Sequence, residues 1–225
     1  MPDLGIYPRS LNVEVIVTIT DIETPQLSDL LAIDADTQNL LFRDARSANT
    51  FSDEPVDEDS LRAIWDLVQF GPTMMNISPL RIVAVRSKEA RERLVEQMSD
   101  GNKAKTRSAP ITLVFGYDVD FHDELGTLVP HMPGARENFA GAEDVRHELA
   151  KFNALLQSGY VIVGIRAAGF AAGPMGGFDA DGVTNEVFPD GRHRALIVVN
   201  VGKPGVDAYR PRAPRLDFDQ VVTTI

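Results

Sequence analysis

Apolar positions recur with two periods along the chain, and proline and glycine punctuate the stretches between them. Leu61, Ile64, Trp65 and Val68 stand at i, i+3, i+4 and i+7, which predicts a helix over 58–68 with Asp57 as its N-cap. Ser87 is placed to cap a highly charged helix over 88–98. The longest helical pattern covers 143–168, where Val145, Leu149, Phe152, Leu156, Gly159 and Val163 follow one another at spacings of three and four. Its second half is apolar nearly all round, which predicts a central, buried helix. A short helix is expected near 182–188. A further helical pattern runs over 26–48, with Ser28 as N-cap and Leu30, Leu31, Leu40, Leu41 and Phe42 on its apolar face. Three runs read as central strands: 81–85, 111–117 (ITLVFGY) and 195–201 (ALIVVNV). Helices between so few strands predict an α+β or mixed sandwich, a sheet covered by helices. Val13, Val15, Val17 and Ile19 give a modest strand signal within residues 1–25, an N-terminal extension of unassigned role ahead of one domain over 26–225.

The irregular stretches hold the candidate chemistry. In 69–85 (QFGPTMMNISPLRIVAV), Pro72 ends a helix and Pro79 starts an extended path, so 73–78 must be a loop fixed at both ends. Its Thr73, Asn76 and Ser78 sit beside two methionines, a mixture suited to a flat heteroaromatic ligand, although taken alone the loop reads more simply as a plain helix-to-strand connection. Residues 101–108 read as a short basic connection with Asn102, Lys103, Lys105 and Arg107. Residues 118–141 show no period, and loops of that length are usually functional or mobile. The tail from 203 carries Pro204, Pro211 and Pro214, too many to stay inside a sheet.

Composition narrows the function. With no cysteine, disulfides, thiolate nucleophiles and iron–sulfur clusters are excluded. No apolar run is long enough to span a bilayer and no secretory signal opens the chain, so a cytoplasmic protein is expected. The net charge of −11 argues against nucleic acid or an anionic membrane as partner, and it makes any local cluster of cations informative. No G-x-G-x-x-G follows a strand, and no P-loop or G-x-S-x-G elbow exists. His122, His131, His147 and His193 lack metal-ligand spacing, so they are expected at the surface or on a lid, and no metal site is expected. What remains is Arg46 and Ser47 in DARSANTF, Asn102 with Lys105, the glycines of GPMGG, and Arg210 with Arg212 before Pro214. Each alone could be a helix terminus, a turn or a solvated tail.

Taken in this order, these elements resemble the nitroreductase family of flavoproteins. The resemblance runs through Arg46-Ser47, the stretch Pro72-Thr73-Met74-Met75-Asn76-Ile77-Ser78-Pro79, Asn102 with Lys105, Pro174 to Gly177, and Arg210 with Arg212 and Pro214. It implies that Arg46, Ser47, Arg210 and Arg212 hold the phosphate of FMN. It further implies that Pro72, Thr73, Asn76, Asn102 and Lys105 line the ring and ribityl chain, and that Pro174, Met175, Gly176 and Gly177 offer backbone donors near flavin N5. No side chain is then catalytic; the chemistry sits on the flavin, beside the backbone of Gly176 and Gly177. The fold implied is the nitroreductase-like α+β sandwich with a mostly antiparallel sheet, as an intertwined homodimer with the tail as dimerisation arm.

DARSAN, GNKAKT, PHMPGAR, GPMGGFD and RAPRLDF are more closely similar to the malonic semialdehyde reductases of pyrimidine degradation. That similarity implies FMN-dependent reduction of malonic semialdehyde to 3-hydroxypropanoate with NADH or NADPH as donor. The alternatives are a broad nitro, quinone or enone reductase, or a flavin-binding protein without turnover. Three positions depart from better-known nitroreductases: Asn49 stands at a second-cation position, Ser78 at a glutamine and Gly176 at a glutamate. A carboxylate substrate needs a cation not committed to FMN, and Arg136, flanked by His131 and Phe139, is the candidate. A solvated Arg136 paired with Glu137 or Glu143 is the plainer expectation.

Overall fold

Four antiparallel strands form the centre: β1 (Leu80–Val85), β2 (Ile111–Asp118), β3 (Ala171–Met175) and β4 (His193–Gly202), in the order β1-β2-β4-β3. They belong to a computed structural model that describes residues 27–225, so the alternating run at 13–19 lies outside the described residues. The chain divides at Ala35 into two units. In the first, the described residues form one 3-10 turn, Leu27–Leu30, followed by bends. The sheet, its covering helices and the candidate site belong to the second, 36–225.

Alternation along the strands explains the layers. Leu113 and Phe115 of β2, with Val199 and Val201 of β4, face Ile64, Ala154, Val161 and Ile165 of the Glu58–Val68 and Glu143–Ala167 helices. Val114 and Val198 point the opposite way, against Leu94, Met98, Val183 and Phe188. Strands apolar on both faces demand cover on both sides, and the result is the expected sandwich of helices about a sheet. The two helices on the first face approach closely at Gly164, where a Cβ would stand 2.5 Å from Val68 Cγ1.

The caps match the sequence. Asp57 accepts from Ser60 N at 2.6 Å and Ser87 from Ala90 N at 3.1 Å. Other expectations are corrected. β3 reads AAGPM, without a single β-branched residue; Pro174 is tolerated because β3 is an edge strand and need not donate outward. Residues 101–108 are not a connection but most of a helix, Asp100–Ser108, whose pattern is hidden because Thr106 is its one buried residue. The helical pattern over 26–48 is realised only in short pieces, the Leu27–Leu30 turn, Ala35–Gln38 and a π turn, Asn39–Arg43. The polar run 36–39 interrupts its apolar face, and Ser28 lies inside the first turn instead of capping it.

Residues 118–141 are not one long loop. Short helices at Phe121–Glu124, Leu125–Leu128 and Ala135–Ala140, with Val129 closing the second, bury Phe121, Leu125, Val129 and Ala135 against Ile77 and Ala150. Arg146 ties them down, donating to the carbonyls of Val119 (3.2 Å), Phe139 (2.8 Å) and Ala140 (2.9 Å) and to Asp120 Oδ1 (3.2 Å). The long helix also buries a different face from the one its apolar stripe suggested. Asn153, Ala154, Gln157, Ser158, Val161, Gly164 and Ile165 face inward, while Val145, Phe152 and Leu156 are exposed.

Candidate functional site

Segment 45–49 lies between two others. Ala48 N donates to Ala172 O of β3 at 3.3 Å, and Asn49 N donates to Ala208 O of the tail at 2.9 Å. The tail continues alongside, with Ser52 N donating to Lys203 O at 3.0 Å and Thr50 Oγ1 to Val206 O at 2.7 Å. Proline removes donors from the tail, yet its carbonyls remain free to accept and supply most of these docking bonds, with Gly205 N donating back to Thr50 O at 3.1 Å.

This docking opens a cavity of about 550 Å³ lined by Ala45, Arg46, Ser47 and Asn49, by Gly101 and Lys105, and by Arg210 to Ala213 and Arg215. Five of these side chains are cationic and none is acidic. The guanidinium of Arg46 donates to Arg210 O at 3.2 Å; that of Arg212 donates to Arg43 O and, at 2.9 Å, to Ala45 O. The described ion pairs all lie elsewhere. Burial, and then the neighbouring Arg210, push the Lys105 ammonium below the usual lysine range. Five cations gathered in a chain of net charge −11, with no carboxylate among them, are the arrangement that holding an anion would require.

Beside it, the Asp100–Ser108 helix meets the turn after β3. Asn102 Nδ2 donates to Gly177 O at 2.8 Å, and Ser99 N donates to the same oxygen at 3.0 Å. A Cβ at Gly177 would stand 2.8 Å from Asn102 Nδ2, so any other residue here would displace the Asn102 amide. Gly176 is exposed, with nothing within 4 Å of where its Cβ would be. Pro174 is exposed, whereas the Met175 side chain turns inward, so only backbone from Met175 can serve the site.

The sequence pattern of the Nitroreductase family matches residues 42–203. The chain belongs to the nitroreductase family. A Streptomyces griseus protein provisionally named NADH dehydrogenase/NAD(P)H nitroreductase is 54% identical over 195 residues, 87% of this chain and 99% of that protein. A Streptomyces coelicolor protein of the same provisional name is 55% identical over 195 residues, again 87% and 99%. Among solved structures, a nitroreductase from Exiguobacterium sibiricum in complex with FMN has a TM-score of 0.71 at 17% identity, covering 85% of this chain and 98% of that one. The cation-bearing end of the tail lies beyond the residues that the family pattern matches.

Of the residues singled out by sequence, the cavity gathers Arg46, Ser47, Asn49, Lys105, Arg210 and Arg212, with Asn102 and the 174–177 turn alongside. Pro72, Thr73 and Asn76 do not line it. Their loop is held instead by the long helix and its neighbours: Tyr160 Oη donates to Pro72 O (3.1 Å), Met74 N to Asn153 Oδ1 (2.8 Å) and Asn76 Nδ2 to Leu128 O (3.0 Å). Met75, Asn76 and Ser78 adopt positive φ of 50°, 55° and 40°. Such strain costs about 1–3 kcal/mol per non-glycine residue and is commonest at functional sites.

Nor does the cavity include Arg136, His131 or Phe139. Arg136 donates through Nε (3.1 Å) and Nη2 (2.9 Å) to Asp123 Oδ1, not to Glu137 or Glu143. Phe139 packs its ring on the edge of Phe121 at 5.6 Å, and His131 is exposed. His122, expected at the surface, is buried, with its ring set edge-on to that of Phe121. His193 is half-buried on β4 beside Asp190. Arg215 was not singled out, although the third arginine of RPRAPR could have pointed to it.

Proposed function

We propose that this chain is an FMN-dependent NAD(P)H oxidoreductase, working as a homodimer, that reduces malonic semialdehyde to 3-hydroxypropanoate. The observation that carries the reading is the carboxylate-free cluster of Arg46, Lys105, Arg210, Arg212 and Arg215. Its charge and size suit a phosphate monoester dianion, and the open backbone at Gly176 leaves room for a flat ring next to it. Bound FMN supplies the hydride chemistry. The arginines hold the phosphate, Lys105 and Asn102 face the ring and ribityl oxygens, and the backbone of Gly176 and Gly177 donates toward the ring. The net reaction moves a hydride from NAD(P)H and a proton from water to the aldehyde, giving the alcohol and NAD(P)+. The printed names of the relatives and the FMN of the Exiguobacterium structure support the same cofactors.

Two features support the dimer. The exposed Val145, Phe152 and Leu156 leave one face of the long helix apolar and uncovered, with Trp65 and Phe70 exposed on and beyond the helix packed against it. The strained 73–78 loop also lies apart from its own chain's cavity, so its Thr73 and Asn76 serve a ring held by a second copy. The malonic semialdehyde assignment rests on the motif set from DARSAN to RAPRLDF. A second reading, a broad nitro, quinone or enone reductase, is favoured by one observation: the guanidinium proposed for the substrate carboxylate is engaged with Asp123.

The deciding experiment follows the purified protein's colour. A yellow protein that NADH or NADPH bleaches without oxygen, and malonic semialdehyde reoxidises, meets the proposal. Reoxidation by quinones alone selects the second reading, and a yellow protein that no nicotinamide reduces is a flavin binder without turnover.

A further inference from the structure

On the inner strands, away from the ion-paired end at Asp118, two buried polar side chains face one another. Thr112 of β2 stands opposite Asn200 of β4, and both are fully buried. Burying a carboxamide is costly unless its donors and acceptor are met, so a pair of this kind requires an explanation. Asn200 Oδ1 accepts from Thr112 Oγ1 at 2.8 Å. On its other side, Asn200 Nδ2 donates to Thr106 Oγ1 at 3.4 Å and lies 3.8 Å from Met175 Sδ; Thr106 Oγ1 is 3.9 Å from the same sulfur. Thr106 is on the Asp100–Ser108 helix and Met175 ends β3, so one amide joins three elements.

Two of those elements frame the candidate site. Thr106 is four residues from Asn102 and shares its helix face. The helix therefore meets the turn twice, at Gly177 through Asn102 and at Met175 through Thr106. Lys105, next to Thr106, lines the cation cavity. We propose that Asn200 is a positioning residue: its buried amide sets Lys105 and Asn102 against the 175–177 backbone, and so sets how tightly reduced FMN is held relative to oxidised FMN.

The inference rests on the flavin reading above. Reduction adds negative charge to the ring, and a cation's effect on that charge depends on distance. At about 4 Å, a displacement of about 1 Å changes a Coulomb interaction by about a fifth. A leucine could fill Asn200's volume, but it would leave two buried hydroxyls without this partner and the helix tied to the turn only at its Ser99–Asn102 end.

The test compares Thr106→Val, Thr106→Ser and Asn200→Leu with the wild-type protein, by FMN titration of the apoprotein, the flavin midpoint potential and thermal unfolding. Thr106→Val and Asn200→Leu are expected to lower the ratio of reduced to oxidised FMN affinity about three- to tenfold, about 15–30 mV for a two-electron couple. Thr106→Ser, which keeps the hydroxyl, is expected to restore the wild-type ratio. Should Asn200→Leu not fold, the Thr106 pair decides alone. A Thr106→Val protein that melts earlier but keeps the wild-type ratio overturns the inference, since the network would then be structural only. A wild-type chain that takes up no FMN overturns the flavin reading itself, which is a different result.

Discussion

Arg46 donates from its guanidinium to the main-chain carbonyl of Arg210 at 3.2 Å, across 164 residues of sequence. Arg212 returns the contact, reaching from the tail to the carbonyls of Arg43 and Ala45. Each segment thus holds the other's cation through backbone oxygens, which adds no acidic charge to the cavity. If both bind the FMN phosphate, each forms charge-assisted hydrogen bonds of about 1.5–3 kcal/mol. Arg46→Ala and Arg212→Ala are then each expected to weaken FMN about 10- to 150-fold. Riboflavin, which lacks the phosphate, should bind both variants nearly as it binds the wild type. FMN affinities that stay unchanged in both variants would refute the assignment.

Truncation after Gly202 removes Arg210, Arg212 and Arg215 at one stroke. It also removes Ala208, which is buried, and the carbonyl partners of Asn49, Thr50 and Ser52. Flavin and the proposed dimer should be lost together. A truncated chain that sediments as a dimer with FMN bound would contradict the role given to the tail.

How much of this could be read from sequence depends on what each element buries. The strands at 81–85, 111–117 and 195–201 were legible because apolar, largely β-branched side chains dominate them, Arg81, Thr112 and Asn200 being isolated polar positions in otherwise apolar runs. β3 was not, because Gly173 and Pro174 carry the wrong propensities and only the sheet edge excuses them. The long helix was found, but its buried face was misread for a physical reason. Asn153 and Gln157 lie on the inner face, accepting from Met74 N at 2.8 Å and Leu80 N at 3.0 Å, and so hold both ends of the strained loop. Hydrophobic periodicity cannot find a polar inner face, and it followed the exposed Phe152 and Leu156 instead. Arg46, Lys105, Arg210 and Arg212 were legible through the motifs that carry the family resemblance; Arg215, one residue past the last of them, was not. Thr106 and Asn200 were not, since nothing in a local pattern tells a satisfied buried amide from an exposed one.

Asp190 provides a prediction in acid. Burial works to raise its carboxyl, but hydrogen bonds from the His193 and Arg192 backbone and from the His193 ring outweigh it and bring the pKa from 3.8 down to about 2. A carboxylate whose folded pKa is depressed stabilises the fold above its unfolded value, and that stabilisation is lost as pH falls through the folded value. Here the window runs from about pH 4 down to about pH 2. Asp190→Asn should therefore show a shallower loss of stability over that window in denaturant titrations at stepped pH. Equal slopes for both proteins would remove Asp190 from the acid response.

Arg136 tests the substrate assignment. Its two bonds to Asp123 leave it half-exposed, and Arg192 Nη1 lies 3.2 Å from the other Asp123 oxygen. If Arg136 leaves for a substrate carboxylate, Asp123 keeps a cation. Arg136→Ala should raise the KM for malonic semialdehyde at least about tenfold while hardly changing that for an uncharged quinone. Equal losses for the two acceptors would make Arg136 a shaper of its segment and not a determinant of specificity.

The last prediction separates two neighbouring glycines. A methyl group on Gly177 would meet Asn102 Nδ2 at 2.8 Å and Ser99 Oγ at 3.2 Å, so Gly177→Ala must displace the side chain that fixes the turn. A methyl group on Gly176 meets nothing within 4 Å, and its backbone has no positive φ that alanine would resent. As an apoprotein, Gly176→Ala should unfold at the wild-type temperature or slightly above it, because alanine restricts the unfolded chain. Gly177→Ala should unfold earlier. With flavin the order changes: if the ring lies against this turn, the Gly176 methyl occupies its approach and holds it away from the backbone donors. Gly176→Ala should then bind FMN more weakly, or be reduced by NAD(P)H more slowly, by about tenfold, with its fold intact. Wild-type flavin affinity and reduction rate in Gly176→Ala would mean that the ring lies elsewhere in the cavity.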